Sequence, residues 1–274
     1  MDSATILPAD IRRRGRAGAA SRHRVALLRC AVILLSIVLL EIASRLAWID
    51  PISFIPPSEM AWSAWRLLQE GSYQEDMLLT LSSAAVSILM ATSVGFLFGL
   101  ALFKLPRLRR VIDPLLLSYY AVPIFIFYPM LIVLFGLNRW PLIVLGFLFA
   151  VVAMAVNTLN GLERVPKVLL RTARMLRMGR AQEVFLITLP ASLPFVFTGI
   201  KLAIVYSFIA IIGGEFLLSG AGFGYQIAFA YNNFDNPTMY GLMFLLLAFV
   251  GAVNLALHAM EQRLYQRRVL KELA

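Results

Sequence analysis

Residues 163–201 read ERVPKVLLRTARMLRMGRAQEVFLITLPASLPFVFTGIK, a basic interruption between two long apolar segments. Its cations recur every three or four residues, a spacing that places side chains on one side of a helix. They are Arg164, Lys167, Arg171, Arg174, Arg177 and Arg180. Pro190 has no amide donor and disfavours helical geometry in Leu189 before it. The stretch therefore predicts a surface helix, a break at Leu189-Pro190 and then a new apolar helix.

The composition is that of an integral membrane protein. Of 274 residues, 60% are hydrophobic and 15% are charged, and the mean hydropathy is +0.80. That leaves too little polar surface for a soluble domain of this length. A net charge of +10 would suggest a nucleic-acid partner for a soluble chain. Here the cations lie in loops of one predicted side, so we expect contact with membrane lipid and not with nucleic acid.

Apolar runs of about 20 residues can cross a hydrocarbon layer of ~30 Å as helices. We predict an all-α, polytopic domain over residues 25–262 with six spans, at about 25–48, 78–103, 114–137, 141–159, 190–218 and 239–260. The second span is rich in small residues, which predicts burial in the helix bundle. Pro123 and Pro129 in the third predict a kinked helix beside a cavity.

Lys and Arg are concentrated in four segments, residues 12–29, 104–110, 164–180 and 263–271. The positive-inside rule therefore places both termini and the stretch from Glu163 in the cytoplasm. We expect residues 1–24 to be a disordered basic cytoplasmic arm and residues 263–274 to be a basic cytoplasmic tail. Before the second span, Ser58 is predicted to cap a short external helix with Glu59 in its first turn.

No enzyme motif occurs in the sequence. It has no GxxxxGK[ST] phosphate loop, so any ATP must be hydrolysed by another chain, and no HExxH, GxSxG or Cys-His arrangement. One cysteine, Cys30, and two histidines, His23 and His258, are too few for a metal site. We expect no catalytic residue, no metal and no directly bound cofactor.

Ionisable residues inside spans are candidates for function, because burying a charge in hydrocarbon is costly. They are Glu41, Lys201 and Glu215. Glu41 is expected to pair with Arg45 at i+4. Lys201 has a stem long enough to extend toward the cytoplasmic headgroups. Glu215 follows Gly213-Gly214, where local unwinding is expected, and either has a role in transport or only hydrates a helix end.

The glycine-rich segment Ser219–Tyr225 is not predicted to lie between a strand and a helix, so it is not a dinucleotide loop. A gate or re-entrant turn at the external mouth fits better, and this mouth is a candidate docking site for a substrate-binding protein. The candidate residues of the translocation path or gate are Pro123, Pro129, Lys201, Glu215, Gly222 and Gly224.

Residues 173–203, ARMLRMGRAQEVFLITLPASLPFVFTGIKLA, resemble the cytoplasmic loop and following helix of ABC importer permeases, in the branch that carries nitrate, taurine and alkanesulfonates. The resemblance continues through Gly213–Phe216 and Gly220–Tyr225, and Pro123, Pro129, Phe135 and Gly136 match its third span. It implies a type I permease fold in the bacterial inner membrane and inward transport of a small anionic solute. It also implies a homodimer with two ATPase subunits, which use the ATP, and an extracytoplasmic binding protein.

In this family the loop 163–189 would be the element that docks on the ATPase subunit. Its candidate residues here are Arg171, Ala173, Arg174, Arg177, Gly179, Leu189 and Pro190. The chain departs from the family pattern, because Arg171 stands where the signature glutamate would fall and Arg177 where the glycine would. An acid replaced by a cation reverses a charge, so the ATPase groove must differ or the loop must dock differently.

Two other functions remain open at this point. An ion-coupled secondary transporter should show inverted repeats and buried acids that bind the coupling ion. The sequence shows no convincing repeat and almost no acids at the predicted bilayer centre. A non-transporting membrane scaffold is the second alternative. Homodimer and heterodimer are also both open.

Overall fold

The computed structural model describes residues 27–28, 31–50, 54–119 and 121–272, and within these ranges all regular structure is helical. Residues 31–45 form α1. The elements after it are α2 (Pro57–Glu70), α3 (Gln74–Lys104), α4 (Pro106–Tyr119), a 3-10 helix (Ile124–Phe127), α5 (Tyr128–Phe135), α6 (Trp140–Glu163), α7 (Lys167–Met175), α8 (Arg180–Glu183), a π-helical turn (Val184–Thr188), α9 (Leu189–Leu218), α10 (Phe223–Asn232) and α11 (Asn236–Glu272).

Four helical segments of the described chain are long and apolar enough to cross a membrane. They are Gln74–Lys104, Trp140–Glu163, Val184–Asn232 and Asn236–Gln262, and they include the predicted second, fourth, fifth and sixth spans. The predicted first span, 25–48, contains α1, and residues 25, 26, 29 and 30 of that span lie outside the described residues, as does the predicted arm 1–24. Helix α11 continues to residue 272, through most of the predicted basic tail.

Helices α3, α6 and α9 form the core, and α6 is the most buried of them. Two glycines of α3 allow a close approach to α6. A methyl group on Gly95 would lie 2.7 Å from Met154 Cβ, and one on Gly99 would lie 2.6 Å from the Ala155 carbonyl oxygen. Because small residues let helix backbones approach, this packing agrees with the expected burial of the small-residue face of the second span. Helix α11 packs on α2 and α10 at the periphery.

The predicted third span, 114–137, is not one kinked helix. Helix α4 ends at Tyr119, and a 3-10 helix and α5 follow as separate elements. Pro123 has extended backbone geometry at the N-cap of the 3-10 helix, and Pro129 lies in the first turn of α5. A proline without an amide donor is favourable at these first positions, so each proline starts a new element.

The predicted break at Leu189-Pro190 is also wrong, although the predicted start of a new apolar helix there is confirmed. The π-helical turn leads directly into α9, with Pro190 in its first turn. Here too proline occupies a position where its missing donor costs little. The chain instead turns at residues 176–179, before α8. Likewise, α9 stays helical through Gly213-Gly214, and a methyl group on Gly214 would lie 2.6 Å from Leu142 Cδ2. These glycines therefore serve helix packing, not the expected unwinding.

Candidate functional site

The basic loop, residues 163–189, is not the single helix that its charge spacing predicted. Helix α6 ends at Glu163, and Pro166 is the N-cap residue of the short helix α7. Only Lys167, Arg171 and Arg174 of the predicted cationic face lie in α7. Arg164 lies before Pro166, and Arg177 and Arg180 lie after the end of α7. The helix cannot extend over them because Pro166 precedes it and Arg177 has left-handed backbone geometry.

Helix α7 ends in a Schellman motif. The Met178 N–H donates to the Ala173 carbonyl at 3.0 Å, and the Arg177 N–H donates to the Arg174 carbonyl at 3.0 Å. Arg177 occupies the left-handed position of this motif, with φ of +53°. Glycine is the residue that favours this conformation. The family resemblance expects a glycine at position 177, and the left-handed backbone at this position also favours glycine.

The surface of α7 carries cations and large apolar side chains together. Ala173 is fully buried, whereas Arg171, Arg174 and Arg177 are exposed. Val168, Leu169, Met175 and Leu176 are exposed as well. After the turn, the Gly179 N–H donates to Gln182 Oε1 at 3.0 Å. Exposed apolar side chains grouped on a short charged helix are typical of an interaction surface.

The start of the basic loop is held by two contacts that the sequence did not predict. The Arg109 guanidinium on α4 binds both carboxylate oxygens of Glu163 and also Asp113. This pairing with Glu163 raises the pKa of Arg109 above its ordinary value. The next residue, Arg164, places its guanidinium 5.2 Å from the Phe195 ring centre on α9. Both contacts join residues far apart in sequence, so no local spacing indicates them.

A second cluster lies at the other end of α9, about 40 Å away along the helix axis. There, three consecutive backbone N–H groups at the start of α10 each bind a side-chain oxygen from another helix. Gly222 N–H donates to Asp76 Oδ1 at 2.8 Å, Phe223 N–H donates to Thr80 Oγ1 at 2.8 Å, and Gly224 N–H donates to Glu215 Oε2 at 2.9 Å. We call Asp76, Thr80 and Glu215 the α10 cap.

The members of the α10 cap also bind one another. Thr80 Oγ1 lies 2.8 Å from both carboxylate oxygens of Glu215 and donates to that carboxylate. Glu215 is 1% exposed. Asp76 Oδ2 accepts a hydrogen bond from Gln226 Nε2 on α10 at 2.7 Å. Glu215 is therefore not an acid that merely hydrates a helix end, because its carboxylate is bound inside the protein.

The expected external turn is closely packed against the α10 cap. Gly222 has φ of +101°, and a methyl group there would overlap the Glu215 carboxylate. A methyl group on Gly224 would lie 2.5 Å from the Ile212 carbonyl oxygen. The structure thus brings together Glu215, Gly222 and Gly224 of the predicted gate residues. Asp76, Thr80 and Gln226 were missed, although Asp76 and Thr80 are polar at i and i+4 at the start of an apolar span.

The remaining ionisable candidates lie elsewhere. Lys201 Nζ binds Glu261 Oε2 on α11 at 2.8 Å, so it has a defined partner. The predicted pair of Glu41 and Arg45 is confirmed, with Arg45 Nε and Glu41 Oε1 2.6 Å apart. Glu41 also accepts hydrogen bonds from the Ser58 N–H and hydroxyl. Ser58 therefore does not cap α2 as predicted, because its hydroxyl is used to bind α1.

Pro123 precedes the 3-10 helix and Pro129 lies in the first turn of α5. Within the described residues, no group of His, Cys, Asp and Glu side chains is arranged to hold a metal ion. Cys30 and His23 lie outside the described residues.

The chain is similar in sequence to permease proteins of several transport systems. The chain is 28% identical over 213 residues to the nitrate import permease protein NrtB of Leptolyngbya laminosa, covering 74% of this chain and 75% of that protein. It is 31% identical over 175 residues to the bicarbonate transport system permease protein CmpB of Synechococcus elongatus, with 63% and 60% covered. It is 22% identical over 226 residues to the taurine transport system permease protein TauC of Escherichia coli, with 81% and 82% covered.

The fold is similar to that of the MetNI methionine ABC transporter in an inward-facing conformation. The TM-score is 0.59 and the identity is 19%, and the match covers 69% of this chain and 94% of that chain. The profile of the binding-protein-dependent transport system inner membrane component family matches residues 59–270, which include the basic loop and the α10 cap. The chain is therefore a multi-pass membrane protein that belongs to the family of binding-protein-dependent transport system inner membrane components.

Proposed function

We propose that this chain is the transmembrane permease subunit of an ABC importer in the bacterial inner membrane, with both termini and the basic loop in the cytoplasm. A separate ATPase subunit docks on the basic loop and uses the ATP, while the permease itself carries no catalytic residue. Two permease copies work with two ATPase subunits and an extracytoplasmic binding protein. The relatives named for nitrate, bicarbonate and taurine support a small anionic solute.

The observation that carries this proposal is the connection of the basic loop to the core. Helix α7 is exposed, yet the basic loop joins α6 and α9, the two helices that pack most extensively on one another. A force applied to α7 is therefore applied to the centre of the bundle. An exposed helix with cations and apolar side chains is suited to bind a groove that offers acids and apolar surface.

The test is purification of the tagged full-length chain from its native membranes in mild detergent, with bound proteins identified by mass. Recovery of a subunit with a phosphate loop supports the proposal. Recovery of the folded chain without such a subunit contradicts it and favours a secondary transporter or a scaffold.

The contribution of the two departing arginines can be measured in the same experiment. Arg171→Glu combined with Arg177→Glu reverses two exposed charges and is expected to weaken recovery of the ATPase subunit at least tenfold while membrane insertion is retained. Arg66→Glu, an exposed arginine on α2, is the control for charge reversal alone. Equal recovery with all three chains would show that Arg171 and Arg177 do not bind the ATPase.

A further inference from the structure

Three N-terminal amides of α10 are bound by side chains of other helices. The first amides of a helix have no partner within the helix, and they attract negative charge. Here three successive amides bind oxygens of Asp76, Thr80 and Glu215, two of them on α3 and one on α9. These amides are therefore not open to a ligand, and the start of α10 is joined to both core helices at once.

The α10 cap and the basic loop lie at opposite ends of α9. Helix α9 begins directly after the basic loop and carries Glu215 in its last turn. The cap therefore connects the far end of α9 to α10 and α3, on the side opposite to the proposed ATPase. If α9 moves as a rigid helix, the cap determines whether α10 moves with it.

We infer that Asp76, Thr80 and Glu215 are positioning residues that make α3, α9 and α10 move as one unit, so that nucleotide-driven motion at the basic loop reaches the turn at residues 219–224. This inference rests on the proposed function. Thr80 is central to it, because its hydroxyl binds Glu215 and accepts the Phe223 N–H at the same time.

The experiment uses the full-length chain with its ATPase subunits in lipid nanodiscs, and it measures hydrogen exchange of the peptide covering residues 219–226. Thr80→Val keeps the side-chain shape and removes the hydroxyl. It is expected to speed exchange of the Phe223 amide about ten- to a hundredfold, because that amide loses its buried partner, whereas the Gly224 amide keeps its hydrogen bond to Glu215. Thr80→Ser restores the hydroxyl and should restore slow exchange.

The second readout is the difference in exchange between the nucleotide-free complex and the complex trapped with ATP and vanadate. In the wild type, residues 219–226 should change together with the end of α9. In Thr80→Val, the end of α9 should still change, whereas residues 219–226 should not. Ser82→Ala removes an exposed hydroxyl of α3 that binds only its own helix, and it should match the wild type.

The outcomes separate the two proposals. A Thr80→Val chain that exchanges and responds to nucleotide as the wild type does overturns the positioning role. A wild-type chain that binds no ATPase subunit overturns the proposed function and the role in transmission with it. In that case Thr80→Val would still speed exchange of the Phe223 amide, whereas unchanged exchange of that amide would show that the cap itself does not form.

Discussion

Gly222→Ala should strongly destabilise the turn before α10. Gly222 has φ of +101° and ψ of 169°, a region that essentially only glycine adopts and that costs other residues about 1–3 kcal/mol. The new methyl group would also overlap the Glu215 carboxylate. Glu215 can move away only by giving up its hydrogen bonds to Thr80 and Gly224, each of which costs about 1–3 kcal/mol to leave unmade. The strained backbone and the two lost hydrogen bonds together predict a loss of about 3–9 kcal/mol.

The assay is thermal unfolding of the detergent-solubilised chain, followed by intrinsic fluorescence. At roughly 2–4 °C per kcal/mol for a chain of this size, the midpoint should fall by about 6–36 °C. Gly220→Ala is the matched control, because a methyl group at Gly220 meets no atom within 4 Å and its φ is not in the left-handed region. Adding Glu215→Ala to Gly222→Ala should recover part of the overlap cost but not the backbone cost. Equal midpoints for Gly222→Ala and Gly220→Ala would refute this reasoning.

Three further predictions concern the other contacts. Arg177→Gly should raise stability by about 1 kcal/mol, because glycine adopts the left-handed geometry of residue 177 without strain. Arg171→Gly, inside α7, should lower stability by about as much. Thermal midpoints measure both effects, and equal shifts would contradict the Schellman motif. Lys201→Met and Glu261→Gln should each weaken the packing of α9 on α11, because each removes one partner of their ion pair. The exchange Lys201→Glu with Glu261→Lys should recover most of the loss. Additive losses in a double-mutant cycle would show that the pair contributes nothing. Arg109→Ala should speed tryptic cleavage of the basic loop several-fold, because Glu163 loses its partner. Asp113→Asn keeps the bond between Arg109 and Glu163 and should leave the cleavage rate unchanged. An unchanged rate in Arg109→Ala would show that this bond does not hold the start of the loop. An arginine is protonated from about pH 6 to 9 even without a partner, and the bond to Glu163 raises the pKa of Arg109 further, so this difference should persist across that range.

Local patterns predicted the features that depend on composition and short spacing. The apolar runs predicted membrane-length helices, and the i+4 spacing of Glu41 and Arg45 predicted their ion pair. The basic loop carried enough of the family pattern for the resemblance, which the family match confirms. The six-span topology, the orientation of the termini and the roles of the loop residues remain predictions.

The errors share one physical cause. Charge spacing predicts a helical face only if the backbone stays helical, and Pro166 and Arg177 end that regularity on either side of α7. In the same way, Pro129 was taken as a kink, whereas it starts a helix. At Pro190 the predicted start of an apolar helix is confirmed, and only the break before it is wrong. Whether a proline interrupts or initiates a helix depends on which carbonyls its neighbours can satisfy, and the single residue does not carry that information.

The sequence by itself determined that the chain is a helical membrane protein with a basic loop between two apolar segments, because hydrophobicity and short periodicities are local properties. Only the tertiary structure decided which polar groups meet. Thr80 and Glu215 are 135 residues apart, and Arg109 and Glu163 are 54 apart. Thr80 and Glu215 meet only because α3 and α9 pack together, and Arg109 and Glu163 meet only because α4 lies beside the end of α6. Burial then leaves the α10 amides no partner except the side chains of the neighbouring helices.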